Sequence, residues 1–331
     1  MSAVAIDVHA HVIVPEITRE AGRGEPWRPR VHRDEAGGQV VEMGGKEIRS
    51  AIAEFTDIDG ILAAQDEAGV DRVLLSPWVP LLYYDAEPAD GLDRARIQND
   101  ALASLVRAHP DRVAALGALP LRDAGPAASE LRALMAGGPL SGVEVAASVR
   151  GAFLGDDRFE PFWQAAEETG ALVFVHPTTR GFDSPAFQDH YLWNTVANPL
   201  ETASTAAHMV LAGVMERHPS LRVLLAHGGG ALLAVRGRLR HAHGFQPQAR
   251  ARLVESPDES IQRFYFDTLT HDETLLRELI EFAGADHVLL GSDYPFDMGD
   301  PRQADAVRAL GLPAEAEHAI LNGNAERILS L

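Results

Sequence analysis

From Arg72 onwards the sequence keeps one rhythm: a short apolar run, a turn, a helical segment, then another apolar run. The runs are Arg72 to Ser76, Val113 to Leu119, Gly142 to Ala146, Leu172 to Val175, Arg222 to Ala226, Phe264 to Thr268 and His287 to Gly291. An eighth, Ile6 to His11, stands near the N-terminus. Each is continuously apolar instead of alternating, which means burial on both faces, as in a parallel sheet. Helical patterns fall between them, at Ile58 to Gly69, Gly91 to Ala108, Ala124 to Ala136, Phe159 to Thr169, Glu201 to Arg217, Ala231 to His241 and Glu273 to Phe282. Eight such units without a linker predict one α/β domain over residues 1–331, a (β/α)8 TIM barrel with extra C-terminal helices. A doubly wound open sheet is the alternative, but no G-x-G-x-x-G or G-x-x-x-x-G-K-[ST] follows a strand to support it.

One segment breaks the rhythm. Residues 14–50, after the first strand, are rich in Gly, Pro and charge and show no steady period. This is too long for an ordinary connection and reads as an insertion of the lid type. Its end, Gly44 to Arg49, reads as a small hairpin strand.

In such barrels chemistry gathers at the C-terminal ends of the strands. Strand one ends in His9-Ala10-His11, and residues i and i+2 of a strand share a face. Strand five ends in His176, strand six in His227-Gly228-Gly229-Gly230, and strand eight in Gly291-Ser292-Asp293-Tyr294-Pro295. A lone buried histidine is ordinarily a core residue, and a lone Asp after a strand is ordinarily a helix cap. Four histidines and an aspartate at one rim point instead to a divalent metal held by His9, His11, His176 and Asp293, with one position open. His227 then stands beside it as general acid or base. The glycine run lets backbone approach a ligand closely.

Composition narrows the chemistry. The chain has no cysteine, which excludes disulfides, thiolate nucleophiles and thiolate metal sites. Lys46 is the only lysine among 29 basic residues, so strand four, Gly142 to Ala147, carries no bridging lysine carbamate and the barrel no Schiff base. One zinc-like metal is the expectation. A net charge of −19 leaves no basic stripe for nucleic acid. No apolar run approaches 18 residues and no leader is evident, so a soluble, cytoplasmic protein without membrane contact is expected.

An anionic substrate is suggested by four arginines near the rim, Arg49, Arg150, Arg180 and Arg238, because arginine suits bidentate carboxylate binding. The loop Pro77 to Tyr84 is long and aromatic, and its Trp78 either walls a flat substrate or packs beneath the insertion. Trp193 and Phe296 are similar candidates. His208, His109, His218, His241 and His243 read as structural.

The motifs Asp7-Val8-His9-Ala10-His11, Phe174-Val175-His176-Pro177, Leu225-Ala226-His227-Gly228-Gly229-Gly230 and Leu290-Gly291-Ser292-Asp293-Tyr294-Pro295-Phe296 resemble the amidohydrolase-2 branch of the amidohydrolase superfamily. Shorter pieces extend the likeness over nearly the whole chain: Leu75-Ser76, Asn198 to Thr202 and Thr270-His271-Asp272. Within the branch the chain most resembles the 2-amino-3-carboxymuconate-6-semialdehyde decarboxylases. The resemblance implies a zinc-dependent, oxygen-independent decarboxylase on a (β/α)8 barrel, usually a homodimer. It matches His9, His11, His176 and Asp293 to the metal set and His227 to the acid/base histidine. It matches Arg49 and Arg238 to the pair that holds the substrate carboxylate, Arg238 being contributed by the neighbouring subunit. Residues 180–194 depart from the family's substrate-side pattern, and Trp193 is offset by one from the family tryptophan. The reading is a metal-dependent, non-oxidative decarboxylase of an unsaturated or aromatic carboxylic acid. The alternatives are a hydrolase or hydratase on the same scaffold and a barrel that binds without catalysis.

Overall fold

In the computed structural model, which describes residues 4–18, 25–43, 46–49 and 51–329, eight parallel strands form one sheet in chain order. They are β1 (Ile6–Val12), β2 (Arg72–Pro77), β3 (Val113–Ala118), β4 (Gly142–Ala146), β5 (Leu172–His176), β6 (Arg222–Leu225), β7 (Tyr265–Asp267) and β8 (Val288–Leu289). The sheet closes on itself. The amide of Val8 donates to the carbonyl of Leu290 at 2.8 Å, and Ala10 bridges Tyr294 in parallel. One main helix follows each of the first seven strands: α1 (Ile58–Glu67), α2 (Pro88–Ala108), α3 (Ala124–Gly137), α4 (Glu160–Thr169), α5 (Asn198–Leu211), α6 (Leu232–Phe245) and α7 (Glu273–Ala283). The barrel expected from the apolar rhythm is therefore present.

Local chemistry sets several helix starts. Asp57, Asp123 and Asp272 each accept a first-turn backbone N–H, which satisfies a donor that the helix itself leaves free. Gly170 ends α4 at φ 65°, a conformation that costs a residue with a Cβ.

Packing divides into layers. The barrel interior holds Ile6, Val8, Leu74, Leu116, Phe174 and Leu224, and Ala325, Ile328 and Leu329 of the last helix, Asn324–Leu329, join the same cluster. Between sheet and helices lies a larger apolar layer that includes Trp163, Phe159, Phe162 and Phe264. Truncating one such aromatic side chain to Ala costs about 3–5 kcal/mol. Continuous apolar strands are thus explained by two buried faces.

The first strand departs from strict alternation. Its pairing with β2 shifts register between Asp7 and Ala10. Ile6 and Val8 belong to the interior cluster, yet His9 also meets the interior ring of Phe174, at 4.8 Å between centroids. The irregularity lets apolar filling give way to imidazoles over one residue, as bulges beside functional sites do.

The stretch after β1 holds more structure than its sequence suggests. Arg30–Arg33, Gln39–Met43 and Lys46–Ile48 form a three-stranded antiparallel sheet, where only the last strand was expected. Gly44 and Gly45 of that expected hairpin lie outside the described residues. Among the described residues no helix is long and apolar enough to cross a membrane.

Candidate metal centre

Four strand ends bring the rim residues together. His9 and His11 lie on β1 and His176 ends β5, while His227 and Asp293 follow β6 and β8 in left-handed backbone, at φ 57° and 59°. The Asp293 amide donates to the His9 carbonyl at 2.7 Å, tying the end of β8 to β1. Nitrogen or oxygen atoms of His9, His176, His227 and Asp293 lie within 4.8 Å of one another. His11 joins them, its Nε2 standing 3.1 Å from Asp293 Oδ1 and 3.2 Å from His9 Nε2.

The ring nitrogens are arranged for a cation. His9 Nδ1 faces the Asp267 carboxylate at 2.7 Å, His11 Nδ1 the Pro77 carbonyl at 3.2 Å, and His176 Nδ1 the Pro177 carbonyl at 3.0 Å. Each acceptor places the proton on Nδ1 and leaves a lone pair on Nε2. His176 Nε2 and Asp293 Oδ1 are buried and have no hydrogen-bond partner among the described residues. Neighbouring ligands on an ion with bonds of about 2.0–2.2 Å stand roughly 2.8–3.6 Å apart, for bond angles between a right angle and the tetrahedral one. The separations of His9 Nε2, His11 Nε2 and Asp293 Oδ1, 3.1–3.2 Å, fall in that interval. The residues fit a divalent metal.

Electrostatics agree. Burial lowers the pKa of His11, and burial with neighbouring imidazoles puts His176 well below its ordinary value, so both rings are neutral. Burial would also raise Asp293, but His9, His11 and His227 hold its carboxyl well below the usual range. His9 is the exception: burial opposes its charge, yet Asp293 and Asp267 push it up to about 10. The field that favours a proton there favours any cation.

His227 differs from the other three. Its Nε2 faces the Asp293 Oδ2 carboxylate oxygen at 3.4 Å, and its Nδ1 is buried without a hydrogen-bond partner among the described residues, so no acceptor holds a proton on Nδ1 as in the other three rings. Its side chain is 16% exposed, against 0% for His9 and His11. It is the imidazole of the set with a side open to a reactant.

Two carboxyl groups escaped the sequence reading. Asp267, the last residue of β7, is fully buried and meets both His9 and the His227 loop. Glu144 sits on β4, fully buried, with neither carboxyl oxygen hydrogen-bonded. Burial puts its pKa well above the ordinary range, which favours the neutral acid. Glu144 lies inside its strand, and Asp267 ends β7 three residues before the Thr270-His271-Asp272 motif without being part of it. Their one signal is an acidic residue inside an otherwise apolar strand.

The expected substrate residues are placed unevenly. Phe296 meets His11 edge-on at 5.2 Å and Phe55 at 5.0 Å. Trp193 is half-buried against Tyr191, at 4.9 Å between centroids. Trp78 is buried, in the apolar cluster that also holds Ile17, Val41 and Phe55 of the neighbouring segments. Arg49 is exposed and paired with Asp34 at 3.0 Å and Glu47 at 2.9 Å. Arg180 pairs with Asp183 and Asp85. Arg238 is exposed on α6 and has no ion pair among the described residues. The glycine run is required by protein packing: a Cβ on Gly230 would meet the Pro199 carbonyl oxygen at 2.2 Å, and one on Gly229 the Phe266 ring at 2.9 Å.

Comparison with known proteins gives one consistent neighbourhood. Residues 6–331 match the amidohydrolase family model. The chain is 31% identical to the 2-amino-3-carboxymuconate-6-semialdehyde decarboxylase of Dictyostelium discoideum, over 99% of this chain and 92% of that protein. It superposes on the solved 5-carboxyvanillate decarboxylase of Sphingomonas paucimobilis with a TM-score of 0.81 at 26% identity, covering 100% of both chains. A dihydroxybenzoic acid decarboxylase from Polaromonas sp. JS666, solved with bound manganese, shares the fold with a TM-score of 0.82 at 22% identity, covering 99% of this chain and 97% of that one.

Proposed function

We infer the function from one premise: the chain belongs to the amidohydrolase family. It is a metal-dependent carboxy-lyase that removes CO2 without oxidation from an unsaturated or aromatic carboxylic acid. The observation that carries this is the convergence of three Nε2 lone pairs and the Asp293 carboxylate beside a partly exposed fourth imidazole.

His9, His11, His176 and Asp293 hold the ion. Three imidazoles and a carboxylate suit zinc, and manganese, carried by the Polaromonas relative, is the second candidate. A divalent ion supplies Lewis-acid stabilisation of negative charge that develops on the substrate. The carboxyl carbon leaves as CO2, its former bonding pair stays on the substrate carbon, and His227 delivers a proton to that carbon. Phe296 and Trp193 flank the substrate.

Arg49 and Arg238 bind the substrate carboxylate. The exposed pairs of Arg49 with Asp34 and Glu47 are weak enough to exchange, since such pairs contribute about 0–1 kcal/mol. Arg238 acts across the interface of a homodimer, which suits an exposed guanidinium on α6 with no ion pair among the described residues. The described residues of the post-β1 insertion act as a lid at the rim: the segment after them reaches the loop that follows β8, with Ala51 bridging Phe296 and the Ile52 amide donating to the Pro295 carbonyl. The whole chain forms one catalytic domain, placed in the cytoplasm.

Elemental analysis paired with CO2 release from aminocarboxymuconate- and hydroxybenzoate-like acids tests this reading. One equivalent of zinc or manganese with metal-dependent CO2 release is expected. Metal-dependent water addition or hydrolysis without CO2 would sink it.

A further inference from the structure

Asp267 is surrounded by donors alone. Its Oδ2 faces His9 Nδ1 at 2.7 Å and the His227 amide at 2.8 Å, and its Oδ1 accepts from the Gly228 amide at 2.7 Å and the Leu269 amide at 3.1 Å. Four donors on two oxygens is a full complement for a carboxylate, and none of them comes from solvent: Asp267 is 0% exposed. Two of the partners have special requirements. His9 must keep its proton on Nδ1 to present the Nε2 lone pair. His227 must hold a left-handed backbone, at φ 57°, which an L-residue adopts only when its surroundings enforce it.

We propose that Asp267 is a positioning residue that sets the His9 tautomer and the His227 backbone together, so that one carboxylate couples the metal ligand to the acid/base group. The inference rests on the metal-centre reading above. Its physical content is the asymmetry between a carboxylate and an amide. In Asp267→Asn one oxygen becomes an NH2 group, which must face two of the four donors. If it replaces Oδ2, it opposes His9 Nδ1–H and the His227 amide. His9 relieves the clash by moving its proton to Nε2, and the lone pair is lost. If it replaces Oδ1, it opposes the Gly228 and Leu269 amides, and the loop that carries His227 loses its anchor. No orientation of the amide restores the original set.

The test measures Zn2+ affinity by competition with a chromogenic chelator, alongside thermal melting. Asn99→Ala serves as a matched variant. Asn99 is buried and bridges the Ala118 backbone, donating at 3.0 Å and accepting at 2.7 Å, without touching the centre. Asp267→Asn should bind zinc about 10–100-fold more weakly than the unsubstituted chain, the usual cost of losing an outer partner of a ligating histidine. Asn99→Ala should lower the melting temperature but keep zinc affinity within about threefold, below that outer-partner range. An Asp267→Asn affinity within that threefold margin, or one no weaker than that of Asn99→Ala, overturns the proposal. Should Asp267→Asn fail to fold, 15N-histidine spectra of the zinc-loaded unsubstituted protein decide the matter. His9 should be protonated on Nδ1 and ligate through Nε2, and the reverse arrangement overturns the proposal. No zinc binding by the unsubstituted chain would instead take down the metal-centre reading, and this inference with it.

Discussion

The Nε2 atoms of His9 and His11 face each other at 3.2 Å, each with its ring's other nitrogen engaged by an acceptor. Two lone pairs so placed repel unless a proton or a cation lies between them. Zinc or manganese should therefore stabilise the protein, by about 2.7 kcal/mol when the free ion stands at 100 times its dissociation constant. Scanning calorimetry should show the melting temperature rising by several degrees with metal and falling again with chelator. A melting curve indifferent to every divalent ion would exclude the centre.

Removing a ligand and removing the proton carrier should separate. His176→Ala should lose the metal and, with it, turnover. His227→Ala should keep one equivalent of metal and lose about 10²–10⁴ in kcat, the range for a general acid or base. Elemental analysis of both variants checks this, and a metal-free His227→Ala protein would make His227 a ligand.

Arg238→Ala and Arg49→Ala should raise KM about 10–150-fold, the cost of a charge-assisted hydrogen bond of about 1.5–3 kcal/mol. Both side chains are exposed, so melting should hardly move. Mixing Arg238→Ala with His227→Ala subunits adds a test of the dimer. If Arg238 acts in the partner's site, random pairing restores about a quarter of the unsubstituted rate. No recovery in a mixture shown to have exchanged subunits would place Arg238 elsewhere.

Glu144 predicts a pH dependence in the metal-free protein. Burial raises its folded pKa well above the ordinary value, whereas the unfolded chain ionises it near about 4.3. Above that pH the folded state binds more protons than the unfolded one, so stability falls as pH rises. The contribution is complete below the unfolded pKa and is lost toward the folded one, at about 1.4 kcal/mol for each pH unit between them. Glu144→Gln keeps the shape and removes the proton. Its melting temperature should fall less than the unsubstituted protein's between pH 5 and pH 8, windows set by the same unfolded reference. Parallel pH profiles would show Glu144 to be ionised.

The sequence by itself determined the barrel and the places where its chemistry sits. Burial on both faces forces each strand to be continuously apolar, so a polar residue at a strand end is conspicuous. His9, His11, His176, His227 and Asp293 were legible for that reason, and the structure brings all five together. Contacts between distant segments had no such mark. Asp267 lies 258 residues from His9, and its donors are mostly backbone amides, which every sequence possesses. The same is true of the antiparallel sheet after β1, whose strands are too short and polar to announce themselves, and of Arg49, whose partners Asp34 and Glu47 are chosen by how that sheet folds. The register shift in β1 belongs here too: an alternation rule places residues on faces, but only pairing with β2 reveals where the rule is broken. Local burial writes itself into residue type, whereas hydrogen-bond partnership depends on which ends the closed barrel brings within 3 Å of each other.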